Sequence, residues 1–363
     1  MLNTNIGIGI RSGGISNSRG WTPQSAADLS AIIQSGTEIY LLWRNAGVID
    51  YDSIVISRGE DEESLTTLVT IDAENCSYKD TVVDSSVSYY YSISYLKGSI
   101  LSEPSVTVHN EYFDQSSLTL FEAMPTQPLS ARKIIYDTLI KGLKTSGLWA
   151  KLDVLQCYAA HAADSSLINL INPGTNNANA VGSPTYTTDE GYLSASGKYI
   201  NTGFNPASDT YKFKQDSFTY GVYSRTDKVE NTVDVGNRSG SVSNYMQLAI
   251  STGNFVARLN DAVSGFIANT HTLGLFAAGR HYVNSRKAYI NGVNGLTDTQ
   301  VSTGLPNCNI FVGCYNSDGT PTTPSTKQYS WFFAGGAMTV TEVATLTTLI
   351  ETYMDAIGKG VIA

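Results

Sequence analysis

Apolar and polar positions alternate along two long stretches of the chain. Between residues 22 and 109, Ile39, Leu41 and Trp43 are separated by single residues, and the segment 87–95 repeats this spacing. A period of two places successive side chains on opposite faces of a strand, so that one face is buried. Turn residues separate these runs about every eight to twelve positions. The pattern predicts an antiparallel β-sandwich over residues 22–109.

Helical spacing replaces this alternation between residues 110 and 164. A linker that contains prolines leads to a stripe of Ile135, Leu139 and Leu143, with Ser130 placed as the N-cap. A second apolar run over residues 148–161 repeats the spacing and predicts another helical piece. We therefore expect a linker and short helical connector at 110–164.

Strand patterns return from residue 165 and end in a helix. Asn291-Gly292 stands between two short strand-like runs and predicts a hairpin, because both turn positions need a positive φ. Thr339 and Glu342 fit a capping box, and the apolar steps of three and four residues that follow predict a C-terminal helix. Three basic residues beside the hairpin are expected to be solvated strand charges: Arg280, Arg286 and Lys287.

Composition supports a β-rich chain and excludes some functions. Charged residues make up only 15% of the 363 residues, well below the usual quarter, and the net charge is −9. This charge argues against nucleic-acid binding. No apolar run reaches the roughly 18 residues of a membrane span, and no signal-peptide pattern opens the chain, so we expect no membrane insertion. The four cysteines form no CxxC pair and are expected to be free thiols, with a Cys308–Cys314 disulfide as the alternative.

Motifs that carry catalysis are missing from the sequence. The four histidines form no HExxH motif, and no GxSxG is present. The acidic run at residues 60–63 is interpreted as a loop. Cys157 and His161 would share a face of the predicted second helix, but we expect that helix to be packed rather than catalytic. The sequence therefore predicts no enzyme activity and no catalytic residue.

Four features follow one another in the first β region: Trp43, the strand 51–59, Tyr78–Asp80 and the closing run "SEPSVTV". In this order and spacing they resemble a fibronectin type III domain over residues 22–109. The resemblance implies that Trp43 fills the core between two sheets. It also implies that Tyr89 or Tyr91 is the corner tyrosine, which bonds back to the backbone.

Four segments of the second β region also keep a fixed order: "GYLSASGKYINTGF", "FTYGVYSR", "KAYINGV" and "NIFVGCYN". With the final strand and helix they resemble the concanavalin A-like lectin/glucanase fold in its laminin G-like form, which implies a jelly roll over residues 165–363. The paired carboxylates of the glucanases are absent. Lectin-like domains of this fold often bind Ca²⁺, so Asn316–Thr320 is a candidate calcium loop, with an ordinary turn as the alternative. We otherwise expect no cofactor.

The segment from residue 147 to 192 looks similar to the lead-ins of lectin-like domains in bacteriophage structural proteins. This resemblance implies a non-enzymatic virion protein: a capsid decoration, head fibre or tail fibre. Residues 1–21, rich in Gly and Ser, would be an arm that anchors it to other virion proteins, and repeated copies would make it a homo-oligomer.

Host-surface glycan is the expected ligand of the C-terminal domain. Sugar sites combine an aromatic face with amides or carboxylates. One loop offers such a set: Tyr315, Asn316, Asp318, Tyr329 and Trp331. The alternative is that Trp331 is a core residue and the rest is a long surface loop without a ligand. A secreted or surface carbohydrate-binding module, or an accessory protein of a glycan hydrolase, is the alternative function.

Overall fold

The computed structural model describes most of the chain in six stretches: residues 27–35, 38–44, 50–84, 87–109, 113–208 and 211–362. The chain is mainly β and divides into two compact units, 1–113 and 114–363. The predicted arm, residues 1–21, lies outside the described residues. None of the described helices is long and apolar enough to cross a membrane.

Unit 1 is built from antiparallel strands in two sheets. One sheet has the order β1-β2-β5, and the other has the order β4-β3-β6-β7 with β8 also paired to β6. The strands are β1 (Ala27–Ser35), β2 (Glu38–Arg44), β3 (Ser53–Gly59), β4 (Thr66–Asp72), β5 (Ser77–Asp80), β6 (Tyr90–Lys97), β7 (Ile100–Leu101) and β8 (Val108–His109).

The core of unit 1 confirms the alternation predicted from the sequence. Ile39, Leu41 and Trp43 of β2 are buried in one cluster with alternate residues of β6. The hydroxyl of Tyr89 accepts a hydrogen bond from the backbone N–H of Asp84 at 3.2 Å. The hydroxyl of Tyr91 instead donates to the side chain of Asp80 at 2.9 Å. Tyr89 is therefore the side chain that ties the start of β6 to the preceding loop.

Unit 2 contains seventeen short and long strands and all three α-helices of the described residues. The strands are β9 (Leu152–Cys157), β10 (Asn179–Val181), β11 (Thr185–Thr187), β12 (Gly191–Leu193), β13 (Tyr199–Asn201), β14 (Phe218–Ser224), β15 (Val235–Ser239), β16 (Val242–Ile250), β17 (Asn254–Asp261), β18 (Gly265–Ala268), β19 (Gly274–Tyr282), β20 (Ser285–Ile290), β21 (Val293–Asp298), β22 (Phe311–Val312), β23 (Tyr315–Ser317), β24 (Thr320–Thr322) and β25 (Gln328–Gly335). The helices are α1 (Gln115–Ala123), α2 (Ser130–Thr145) and α3 (Val340–Ala356).

Two sheets face each other in unit 2. The eight-stranded sheet has the order β11-β12-β25-β14-β19-β20-β21, with β9 beside β25. The nine-stranded sheet has the order β10-β13-β22-β15-β16-β17-β18, with β23 paired to β15 and β24 paired to β23. Val222 and Phe276 of the first sheet share one buried cluster with Met246, Leu248 and Phe255 of the second. The core of unit 2 therefore lies between the sheets.

Helix α3 covers the outer face of the eight-stranded sheet. The ring of Trp331 lies edge-on to Tyr353, with 4.9 Å between ring centroids. The hydroxyl of Tyr223 donates to Glu351 Oε2 at 2.6 Å. Since inward neighbours of these residues fill the inter-sheet core, β14 and β25 are buried on both faces.

This burial on two faces explains one wrong prediction in the connector. Residues 152–157 form strand β9, not a helix, and all six positions are buried beside β25. A strand buried on both faces has a continuous apolar run, which spacing alone does not separate from a helix.

The helices of the connector also differ from the prediction. The predicted linker contains α1, which is capped by Asp114, and the N-cap of α2 is Leu129 rather than Ser130.

Two other local predictions are confirmed. Asn291 and Gly292 have φ values of 49° and 80° and close the β20–β21 hairpin. Both values are positive, as a two-residue hairpin turn with the twist of its strands requires. At the start of α3, the Thr339 side chain accepts from the Glu342 N–H, and the Glu342 side chain accepts from the Thr339 N–H. Both patterns are local, so the sequence alone specifies them.

Loss of the Thr339 cap should lower the stability of unit 2. Replacing Thr339 with Ala leaves the Glu342 N–H without its side-chain acceptor and should reduce the free energy of unfolding by about 1 kcal/mol. Chemical denaturation of the full chain measures this. Thr341→Ala, at an exposed position in the same helical turn, is the matched control and should change stability by less than about 0.5 kcal/mol. An equal loss in both variants would contradict the capping role.

Candidate functional site

The outer face of the nine-stranded sheet carries a group of aromatic and basic side chains. Val235, Met246 and Ala257 point into the core, so their neighbours along each strand point outward. Cross-strand register aligns three of these neighbours side by side on β15, β16 and β17: Gly236, Tyr245 and Arg258. A Cβ at Gly236 would lie 2.6 Å from the Cβ of Tyr245, so a glycine is needed there.

Strand β23 adds a second tyrosine to this face. The Tyr315 ring packs edge-on against Tyr245, with centroids 5.5 Å apart, and the Arg258 guanidinium lies 5.0 Å from the Tyr245 ring centroid. Burial raises the pKa of the Tyr315 phenol, and Ser243, Arg238 and Arg258 partly offset this rise. Both arginines therefore act on the same phenol. We call Arg238, Tyr245, Arg258 and Tyr315 the aromatic–arginine patch.

The two arginines of the patch are not neutralised within the described part of the chain. Arg238 Nε donates to the Gly240 carbonyl at 2.6 Å, and Arg258 makes a 3.4 Å contact with the Ser264 hydroxyl. Neither guanidinium has a carboxylate oxygen within 4.0 Å among the described residues. The patch therefore offers two positive charges beside two rings, on a chain whose net charge is −9.

Three of the five predicted glycan-binding residues lie on the β23–β24 hairpin. Tyr315 belongs to the patch. Asn316 is buried, and its side chain donates to the Asn309 carbonyl at 2.7 Å and accepts from the Gly319 N–H at 2.8 Å. Asp318 is exposed at the turn, with φ of 50°, and accepts from the Gly240 N–H at 2.8 Å. Asn316 and Asp318 therefore shape the hairpin beneath and beside Tyr315.

The other two predicted residues lie away from any surface. Tyr329 and Trp331 are both 0% exposed. Tyr329 points between the sheets and donates to Asp234, whereas Trp331 points to α3, where its indole N–H lies 3.2 Å from Met354 Sδ. Their placement corrects the idea of one site formed by all five residues. Strand β25 is central, so its aromatic residues fill the two layers that flank it.

The candidate calcium loop is a two-residue hairpin turn. Ser317 pairs with Thr320, and Asp318 and Gly319 occupy the turn with positive φ. The side-chain oxygens of Asn316 and Asp318 already accept backbone hydrogen bonds. Among the described residues, no group of three or more His, Cys, Asp or Glu side chains could hold a metal ion.

The basic residues near the hairpin are not all solvated, contrary to the prediction. Arg280 is 0% exposed, and its Nη2 lies 2.6 Å from Asp261 Oδ2. Arg286 is 2% exposed and makes a two-pronged contact with Asp298 at 2.7 and 2.5 Å. Arg280 and Arg286 pair across β19 and β20 on the inward face, in register with Phe276, Ala278 and Ala288. They can be buried there because carboxylates and backbone carbonyls from other parts of the chain accept most of their donors.

A second buried group of charges lies at the start of β25. Lys327 and Asp234 are both 0% exposed, with 2.9 Å between Nζ and Oδ1. Burial alone would raise the pKa of nearby Glu230, but hydrogen bonds from Lys228 and Thr326 hold that pKa at about 2. Sequence reasoning missed this group because its members are far apart in the chain and meet only where the two sheets face each other.

The Cys157–His161 pair is not an activated nucleophile. Cys157 lies on β9, and burial raises the pKa of its thiol to about 12. One ring nitrogen of His161 contacts the Thr126 carbonyl at 2.9 Å. A reactive cysteine needs a lowered pKa, so this site does not support nucleophilic chemistry. All four cysteines are free.

No protein-family model matches the chain, and no curated protein matches its sequence. A solved Fn3-like protein from Clostridium thermocellum is similar at 25% identity over 26% of this chain and 97% of that chain, with a TM-score of 0.23. The sixth fibronectin type III domain of human fibronectin type III domain containing protein 3 is similar at 18% identity over 27% and 90% of the two chains, with a TM-score of 0.23. Pectate lyase PelI from Erwinia chrysanthemi, solved with tetragalacturonic acid, is similar at 20% identity over 23% and 27%, with a TM-score of 0.21. These structural neighbours are fibronectin type III-like and pectate lyase-like β domains.

Removing Arg280 should destabilise unit 2 strongly. Arg280→Leu leaves the buried Asp261 carboxylate without the arginine closest to it. The variant should therefore reduce the free energy of unfolding by about 3–5 kcal/mol. Lys287→Leu, on the same hairpin but only half-buried, should cost less than about 0.5 kcal/mol. Denaturant titration of both full-length variants compares them. Similar stabilities for the two would show that burial of Arg280 contributes little.

Glu230 should make unit 2 sensitive to acid. Its pKa in the folded chain is about 2, below the ordinary 4.5, so its contribution is complete above pH about 4.5 and is lost as the pH falls towards 2. Denaturation midpoints measured across this range should fall by less, and level off at a higher pH, for Lys228→Met than for the wild type, because the variant lacks the hydrogen bond that most lowers the Glu230 pKa. Parallel pH profiles would contradict the lowered pKa.

Proposed function

We propose that this protein is a non-enzymatic structural component of a bacteriophage virion, a capsid decoration, head fibre or tail fibre, that contacts acidic glycans on the host surface. The aromatic–arginine patch carries the glycan part of this proposal. The virion part rests on the sequence resemblance of the segment that leads into the C-terminal domain.

The chemistry of the patch suits a sugar acid. Tyrosine rings pack against the apolar face of a pyranose, and the phenol can bond to ring hydroxyls. Arg238 and Arg258 have no carboxylate partner among the described residues, so each guanidinium can bind a carboxylate or phosphate of a ligand. A neutral sugar would leave both charges unused. The expected ligand is therefore a polysaccharide that carries uronate or phosphate groups.

The architecture of unit 2 supports a concanavalin A-like jelly roll. Its two large sheets are mainly antiparallel and face each other around one core, as in a lectin-type sandwich. The strand order of unit 1, with β1-β2-β5 in one sheet, is consistent with a fibronectin type III-like sandwich. Fold alone does not determine function, so the patch rather than the fold carries the glycan proposal.

The pairing of carboxylates supports a binding role rather than hydrolysis. Asp261 and Asp298 are bonded to arginines, and Asp234 and Glu230 are bonded to lysines. A retaining glycosidase needs two free carboxyl groups about 5 Å apart that face a substrate cleft.

The arm at 1–21 remains the proposed anchor to other virion proteins, and homo-oligomerisation remains part of the proposal.

Patch variants should separate glycan binding from a purely structural role. Tyr315→Ala and Arg258→Ala in the full-length protein should each weaken binding to acidic host polysaccharide about tenfold, equal to about 1.4 kcal/mol. Tyr282→Ala is the control, because Tyr282 is an exposed tyrosine outside the patch. A glycan array followed by titration measures the affinities, and raised salt should weaken wild-type binding.

Two results would overturn the glycan assignment. One is absence of wild-type binding to any acidic glycan of the array, which would leave a structural role only. The other is an equal loss of affinity in the Tyr282 control. Electron cryo-microscopy of phage particles, with this chain located in the map, tests the virion assignment separately.

A further inference from the structure

We propose that Lys327 and Asp234 form an intramolecular isopeptide bond that joins the two sheets of unit 2. Lys327 directly precedes β25 of the eight-stranded sheet, and Asp234 directly precedes β15 of the nine-stranded sheet. Both side chains are 0% exposed, and the Lys327 Nζ lies 2.9 Å from Asp234 Oδ1. A primary amine is therefore held against a carboxyl group where water is excluded.

The surroundings of the Asp234 carboxyl group suit attack by an amine. Oδ1 also accepts hydrogen bonds from the Tyr329 hydroxyl at 2.5 Å and the Ser325 hydroxyl at 3.1 Å. Oδ2 accepts from the Leu248 N–H at 2.7 Å. Donors placed around a carboxyl group stabilise the negative charge that develops on oxygen when a nucleophile adds to the carbon.

Glu230 is placed to transfer protons in this reaction. Its Oε2 lies 3.5 Å from the Lys327 Nζ, and its side chain is 9% exposed. Thr326 donates its backbone N–H to the same carboxylate at 3.0 Å, which fixes the orientation of Glu230. A carboxylate beside the amine can accept a proton from nitrogen and return it to the departing oxygen.

The proposed reaction balances without a co-reactant. Lys327 first passes a proton to Asp234, which gives a neutral amine and a carboxylic acid. The Nζ then bonds to Cγ of Asp234, and Glu230 takes a second proton from nitrogen. That proton goes to the acid hydroxyl, the C–O bond breaks, and one water leaves. The product is a neutral amide between Nζ and Cγ.

The other ion pairs of unit 2 lack one of these requirements. Arg280 and Asp261 are as deeply buried, but a guanidinium stays protonated and is not a nucleophile. Lys212 and Asp153 include a primary amine, but the lysine is 47% exposed and the closest approach is 3.7 Å. The Lys327–Asp234 pair combines a primary amine, full burial, close contact and a second carboxylate, that of Glu230. Conversion to an amide also removes two charges from a dry site, where each is costly.

Intact-mass spectrometry of the denatured full-length protein tests the bond directly. The wild-type mass should be lower than the sequence mass by one water. A tryptic digest should contain a branched peptide in which the segment 229–238 is attached to a peptide with uncleaved Lys327. This measurement needs no variant, so a folding defect cannot obscure it. A wild-type mass equal to the sequence mass, with cleavage at Lys327, overturns the proposal.

Three variants assign the reacting groups. Asp234→Ala and Lys327→Met should each have their full sequence mass, and Glu230→Gln should also keep it because the proton relay is missing. Lys212→Met, at the exposed pair, should lose one water as the wild type does. If Asp234→Ala still lost one water, the modification would lie elsewhere and the proposed bond would be wrong. If Glu230→Gln lost one water in all of its molecules, the proposed role of Glu230 would be wrong.

Discussion

Burial of the central strands on both faces is the constraint on which the rest of unit 2 depends. Strands β14 and β25 send alternate side chains into the inter-sheet core and towards α3, so that Tyr220 and Trp331 are both inaccessible to solvent. Apolar burial is the main favourable term in folding, and α3 completes it on the outer face. The outer face of the nine-stranded sheet, in contrast, carries the half-buried Tyr245, Arg258 and Tyr315 and the exposed Arg238.

The same burial determines how polar groups are used. A charge inside the sandwich is tolerated only when a partner and further hydrogen bonds compensate for lost hydration. Arg280 meets this condition through Asp261 and backbone carbonyls, and Lys327 meets it through Asp234. Charged residues make up only 15% of the chain, and several of the cations among them are buried in this way. Arg238 and Arg258, by contrast, lie on the outer face of the nine-stranded sheet, where no carboxylate among the described residues neutralises them.

Sequence reasoning succeeded where the controlling interactions are local. Alternation located β2 and β6, Asn291-Gly292 located a hairpin, and the Thr339 capping box located α3. It failed at β9, where burial on both faces removes the period of two. It also failed to separate Tyr315, which lies on a surface, from Trp331, which lies in the core. Tyr245 and Arg258 join Tyr315 only through cross-strand register, which a single sequence does not specify.

The aromatic–arginine patch and the buried Lys327–Asp234 pair are connected through one stretch of backbone. The Gly313 N–H donates to the Asp234 carbonyl at 2.7 Å, and the Ser325 N–H donates to the Gly313 carbonyl at 2.9 Å. Gly313 comes two residues before Tyr315, so the backbone of Asp234 helps to position the patch tyrosine. An amide at Asp234 would fix this carbonyl and the segment before β25 together. Because binding costs less when a side chain is already ordered, such a bond would favour recognition at the surface without contact with the ligand.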